Sequence, residues 1–148
     1  MNKKGFTLIE LLVVIAIIGL LSTLSVLALN SARARSRDAK RITDIKQIQT
    51  ALEMYYNDAG SYPADGLITT VTQIATGSNI YMMKIPTAPI PVDGGTLCDA
   101  TKNTYEYTYS GTAGLASGSY TLTYCLGAQT GGVAAGFNTA TPAGITSQ

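Results

Sequence analysis

The stretch from Phe6 to Leu29 limits this chain more than any other. It reads FTLIELLVVIAIIGLLSTLSVLAL, apolar throughout except for one carboxylate, Glu10, near its start and a few small polar residues. As an α-helix rising ~1.5 Å per residue it spans ~36 Å, enough to cross a hydrocarbon layer of ~30 Å. A helix that is apolar on every side needs lipid or other helices around it. An ionised group inside such a span costs roughly 3 kcal/mol or more, so Glu10 is expected to have a partner and a task. An isolated helix offers it nothing to pair with. A stack of copies can bring a cation to the right depth, so that assembly relieves a cost borne by the monomer.

Two simpler readings compete. One is a signal anchor with Glu10 at interface depth, four residues past Phe6. The other is a secretory signal peptide, since Lys3 and Lys4 precede the apolar run. That second reading fits poorly. The run is too long for the apolar region of a signal peptide, and Ala28-Leu29-Asn30-Ser31-Ala32 is a weak cleavage site.

The string Gly5-Phe6-Thr7-Leu8-Ile9-Glu10-Leu11 resembles the processing site of the type IV pilin and type II secretion pseudopilin superfamily. The close likeness covers roughly the first 30 residues, and a looser one continues through Ala51 to Tyr62-Pro63. The resemblance implies that a prepilin peptidase cuts between Gly5 and Phe6 on the cytoplasmic side. It implies that Phe6 is then N-methylated, and that Glu10 pairs with the terminal amine of a neighbouring subunit. The implied fold is α+β, the type IV pilin fold, with a long N-terminal helix packed on a small antiparallel sheet. The implied partners are further copies in a helical filament, the peptidase and methyltransferase, an inner-membrane assembly platform, and the membrane before assembly. The precursor would be a single-pass inner-membrane protein. The product would be a cell-surface filament, or a periplasmic one for a pseudopilin of a secretion or DNA-uptake system. No cofactor is implied.

Composition narrows the remaining options. Of 148 residues none is His and two are Cys, which leaves little for general-base catalysis or a tetrahedral zinc site. No nucleophile–base constellation is visible, so an enzyme is not expected. A net charge of +1 gives no basic field for nucleic acid. The residues beyond the apolar helix suffice for one small domain. Cys98 and Cys125 are either a disulfide, closing a loop worth on the order of 3 kcal/mol, or two buried thiols. The resemblance favours the bond.

Along the chain the organisation is a leader, 1–5; a membrane or filament-core helix, 6–29; an amphipathic helix, 30–60; a connector and antiparallel sheet, 61–126; and a tail, 127–148. Gly19, Ser22, Thr23 and Ser25 are the weak points of the first helix, which lacks the proline common in pilins. Ile42, Ile45, Ile48 (or Gln49), Leu52 and Tyr55 or Tyr56 recur at three- and four-residue steps, a stripe expected to lie on the sheet. Gly60 and Pro63 mark the helix end. Residues 65–76 suit a short helix or an extended connector equally.

Every arginine, Arg33, Arg35, Arg37 and Arg41, lies with Lys40 in one stretch. Its readings are a solvated face with local ion pairs, or contacts to lipid headgroups and to acidic neighbours. Counted as flanking charge, the cluster would hold the domain in the cytoplasm, against the resemblance. Thr87-Ala88-Pro89 stands where major pseudopilins carry an Asp-Pro-Trp loop with calcium ligands. Asp93 and Asp99 remain as candidate ligands, although such isolated residues more often cap loops, and no metal is expected. Tyr105, Tyr107 and Tyr109, then Tyr120, Leu122 and Tyr124, alternate with polar residues as half-buried strands do. A tyrosine ladder also admits an adhesive, glycan-binding module as a different class of function. The tail from Gly127, rich in Gly, Ala, Thr and Ser, is expected to be a loosely ordered wrap.

Overall fold

The computed structural model describes residues 5–64, 73–99, 101–111 and 118–147. Residues 1–33 and 34–148 form two compact units, and one helix, α1 (Leu8–Ala59), contributes to both. Its start has a physical cause. Thr7 is the N-cap, and Thr7-Leu8-Ile9-Glu10 is a capping box in which cap and third-residue side chains satisfy backbone amides reciprocally. Its end is equally specified. Gly60 takes φ 72°, where a side chain would strain the backbone, and its N–H bonds Tyr56 O at 2.8 Å.

In the first unit the helix is long and apolar enough to cross a membrane, and none of its apolar side chains is buried within the chain. Two of the hydroxyls among them are closed internally. Thr23 Oγ1 donates to Leu20 O and Ser25 Oγ to Leu21 O, both at 2.8 Å. Each returns to a carbonyl of the preceding turn, so neither donor is left unsatisfied in lipid.

In the second unit the stripe turns inward: Ile42, Ile45, Ile48, Ala51 and Leu52 are buried. They meet a four-stranded antiparallel sheet in sequential order: β3 (Glu106–Ser110), β4 (Ser119–Leu126), β5 (Gly136–Thr141) and β6 (Gly144–Ser147). A separate hairpin pairs β1 (Ile74–Thr76) with β2 (Asn79–Met82). The registers Tyr107↔Leu122 and Leu122↔Ala140 set one residue from each of β3, β4 and β5 on a common row, and all three are buried. Tyr107, Tyr109, Tyr120, Leu122 and Tyr124 face the helix, as their alternation requires. Tyr62 caps this core, stacked edge-on against Tyr120 at 4.8 Å.

The tail departs from expectation. Residues 136–147 are not a loose wrap; they supply β5 and β6, half of the main sheet. The inward positions of β5 carry little side chain: Gly136 takes a φ of 98°, where a side chain would strain the backbone, and Ala140 is fully buried. Fully buried Asn138 anchors the entry, donating from Nδ2 to Ala134 O and Gly136 O, each at 2.9 Å. The connector resolves in part: Ile74–Thr76 is extended, while 65–72 lies outside the described residues.

Candidate functional site

At the N-terminal tip, Gly5 and Phe6 precede the helix, and Phe6 is 88% exposed. Glu10 is not without a partner, as the isolated helix was expected to leave it. Its Oε2 accepts from Thr7 N at 2.8 Å and from Thr7 Oγ1 at 2.7 Å, while Glu10 N donates to Thr7 Oγ1 at 3.3 Å. The helix start therefore occupies one carboxylate oxygen. The other, Oε1, accepts nothing among the described residues, and the charge remains uncompensated by any cation there. Glu10 shares a shallow apolar face with Phe6, Ile9, Val13 and Val14. A cation approaching that face would meet the free oxygen in apolar surroundings, where an ion pair is stronger than in water.

A second constellation lies in the domain, on the first turns of its helix. Arg41 is 1% exposed and Asp38 fully buried. Arg41 Nη1 donates to Asp38 Oδ1 at 2.7 Å and to Asp93 Oδ2 at 3.3 Å. Its Nη2 donates to Pro89 O and Asn103 Oδ1, both at 3.0 Å. Arg37 grips Asp93 with a two-pronged fork, Nε to Oδ2 at 2.7 Å and Nη2 to Oδ1 at 2.6 Å. Asp38 also accepts the amides of Gly127 at 3.1 Å and Ala128 at 2.9 Å. Two guanidiniums thus balance two carboxylates, and together they tie the Pro89–Asp93 loop and the end of β4 to the helix. Gly127 is required there, since a Cβ would fall 2.5 Å from that of Asp93. The Arg37 fork holds the Asp93 carboxyl below the ordinary carboxylate range, against the opposing effect of burial. Asp93 reciprocally raises the Arg37 guanidinium.

This cluster corrects the reading of the arginine stretch as a solvated face. Arg37 and Arg41 are spent inside the domain, and Lys40 pairs with Asp44 at 2.7 Å. Tyr105, whose ionisation burial and Asp44 both oppose, donates to the same carboxylate at 3.0 Å. Among the described residues only Arg33 and Arg35 of that stretch stay unpaired.

The residues left for calcium do not fit it. Both Asp93 oxygens accept from guanidinium, and Asp99 caps its own turn by accepting from Thr101 and Lys102. No cluster of three metal-ligating side chains occurs among the described residues. Cys98 and Cys125 form a disulfide with Cα atoms 5.7 Å apart, buried on both sides, that fastens the same loop to β4. Sequence reasoning missed Asp38 and Arg41. A signal was present: residues 38, 41, 45, 48 and 52 continue one helical stripe, so its first two members had to be buried despite their charge.

Two family models match the chain. The prokaryotic N-terminal methylation motif covers residues 1–26, and type II secretion system protein G covers residues 28–134. The chain belongs to the type II secretion system protein G family. Its likeness extends to fimbrial proteins. It is 34% identical over 86 residues to fimbrial protein EcpC of Eikenella corrodens, covering 58% of this chain and 56% of that one. It is 38% identical over 74 residues to the type II secretion system core protein G of Pectobacterium carotovorum, covering 49% and 47%. Its counterpart in Escherichia coli K12 is 32% identical over 97 residues, covering 60% and 67%. The chain thus spans about half the length of the first two relatives. No solved structure matches it. The protein G family consists of structural pilin and pseudopilin subunits, not enzymes, and Phe6 and Glu10 fall inside the methylation motif.

Proposed function

We propose that this family member is a structural subunit of a pilus-like filament, assembled through its N-terminal helix. One observation carries the reading: a methylation motif leads into a capped helix whose apolar surface finds no cover within the chain. Before assembly, lipid covers that surface. After assembly, the helices of other copies do. A prepilin peptidase cuts between Gly5 and Phe6, and methylation leaves Phe6 with a positively charged terminal amine. Glu10 then carries two duties on its two oxygens. Oε2 keeps the helix start closed through Thr7, and Oε1 receives the amine of the adjacent subunit, setting the register between copies. An inner-membrane platform receives the precursor, and the Cys98–Cys125 bond suits an oxidising space outside the cytoplasm.

A second reading, a pseudopilin that works as a short periplasmic fibre in secretion, is favoured by the protein G match over residues 28–134. Electron microscopy of the native cell surface separates the two. Long abundant fibres support the pilus, and fibres confined to the periplasm support the pseudopilin. The shared claim is tested by the mass and amino-terminal sequence of the protein purified from its host, which should begin at methylated Phe6. A mature protein that retains Gly5 would refute it.

A further inference from the structure

Two stretches far apart in sequence meet at one turn of the helix. The first runs from Pro89 to Cys98. Arg37 forks its Asp93, and Arg41 reaches Pro89 O at 3.0 Å and Asp93 Oδ2 at 3.3 Å. The second follows Cys125. Its Gly127 and Ala128 amides donate to Asp38 at 3.1 and 2.9 Å. Asp38 and Arg41 are themselves joined at 2.7 Å, so one buried pair holds both stretches. Where the stretches pass, their backbones touch: a Cβ built on Gly94 would fall 2.7 Å from Gly127 Cα. The Cys98–Cys125 bond crosses the same junction, joining residues 27 apart in sequence. The fastenings to the helix are ionic or hydrogen-bonded, and none needs an oxidant to form. The surroundings also suit the reduced pair. Cys98 Sγ lies 3.2 Å from Leu126 O and Cys125 Sγ 3.4 Å from Leu97 O, an acceptor within reach of each S–H. Buried thiols otherwise pack as small apolar groups.

We infer that the helix turn from Arg37 to Arg41 is a template for the Cys98–Cys125 bond, holding the two thiols side by side before they are oxidised. With glutathione disulfide as oxidant, one cysteine thiolate attacks the reagent and releases one glutathione thiolate, leaving a mixed disulfide. The other cysteine thiolate attacks the protein sulfur of that mixed disulfide, the protein bond forms, and the second glutathione leaves. The two cysteine sulfurs are thereby oxidised and the two glutathione sulfurs reduced. The template acts on the second step, which is intramolecular and gains from partners held close. A flexible linker gives an effective concentration on the order of millimolar, and a clamped junction exceeds it. The coupling is reciprocal, so the closed bond stabilises the clamp by the same factor.

The test equilibrates the full chain, in detergent, with glutathione buffers of graded redox ratio. Alkylation of free thiols followed by mass measurement then gives the effective concentration of one cysteine toward the other. In the unaltered chain it should exceed its value in concentrated urea by about a hundredfold or more. Arg41→Met should lower it about tenfold, a coupling of ~1.4 kcal/mol. Arg37→Gln removes only the fork on Asp93 and should lower it about threefold. Leu52→Ala, about three turns further along the helix, weakens the core in both redox states alike and should leave it within about twofold. In the reduced, unaltered chain the Gly127 and Ala128 amides should still exchange slowly, because Asp38 continues to hold them. Equal values for both arginine variants and the unaltered chain would overturn the template. So would a fall in Leu52→Ala as large as that in Arg41→Met, or free exchange of the two amides on reduction. Should Arg41→Met fail to fold when reduced, Arg37→Gln decides alone: a fall supports the template and an unchanged value overturns it.

Discussion

Replacing Arg41 with Met removes the cation at the centre of the domain clamp and keeps most of its volume. The substitution strips Asp38 of the guanidinium it pairs with at 2.7 Å and removes one donor each from Pro89 O and Asn103 Oδ1. Breaking a buried pair from one side costs ~3–5 kcal/mol, because the remaining charge is left in the interior. A domain of this size has only ~5–15 kcal/mol in total. At roughly 4 °C per kcal/mol the expected loss in Tm is ~12–20 °C. Near-ultraviolet circular dichroism of the detergent-solubilised chain reads this cleanly. All nine tyrosines lie beyond residue 54 and there is no tryptophan, so the tyrosine band reports on the domain alone. Arg35→Met, at an exposed and unpaired position, is the control and should move Tm by less than ~0.5 kcal/mol equivalent. Adding Asp38→Leu to Arg41→Met should not restore stability, since the Gly127 and Ala128 amides would lose their acceptor. A Tm within 3 °C of the parent for Arg41→Met, or recovery in the double variant, would refute the clamp as the element that holds loop and sheet to the helix.

Three further outcomes follow from the same geometry. Asp93 has a native pKa below its unfolded one, so its contribution is fully present above the usual carboxylate pKa of ~3.9 and is lost as pH falls through the lowered native value. Thermal unfolding between pH 6 and pH 2 should show this loss, and Asp93→Asn should flatten it. Replacing Cys98 and Cys125 with Ser should lower stability by about 3 kcal/mol, the entropy of closing the loop, as read by denaturant midpoints. Chelation by EDTA should leave Tm unchanged, since guanidinium groups already satisfy the Asp93 oxygens; a drop of several degrees would show that a cation binds after all.

Much of this fold is legible in particular residues. The change from an all-round apolar helix to a striped one after Asn30 marks where lipid gives way to a sheet, and Tyr107, Tyr109, Tyr120 and Tyr124 alternate strictly enough to name the buried face. The rest hides for physical reasons. Gly136 and Ala140 are inward strand residues that carry almost no hydrophobic signal, one a glycine held at a φ of 98° and the other a single methyl group. Arg41 and Asp38 are charged, and their burial is tolerable only through Asp93, Asn103 and two loop amides that lie more than fifty residues away in sequence. The capping role of Glu10 was within reach, since Thr-x-x-Glu before an apolar run is a helix-start signature.

Glu10→Gln separates the two duties and is the most direct measurement. Glutamine at the third helical position still closes a capping box, so the helix start and leader cleavage should both survive. What it lacks is the negative charge for the neighbouring amine. Expressed in the native host, the variant should accumulate as mature protein beginning at Phe6 and yield no filaments, as Glu10→Ala should. Normal filaments from Glu10→Gln would show that the cap alone suffices, and would contradict charge pairing between subunits.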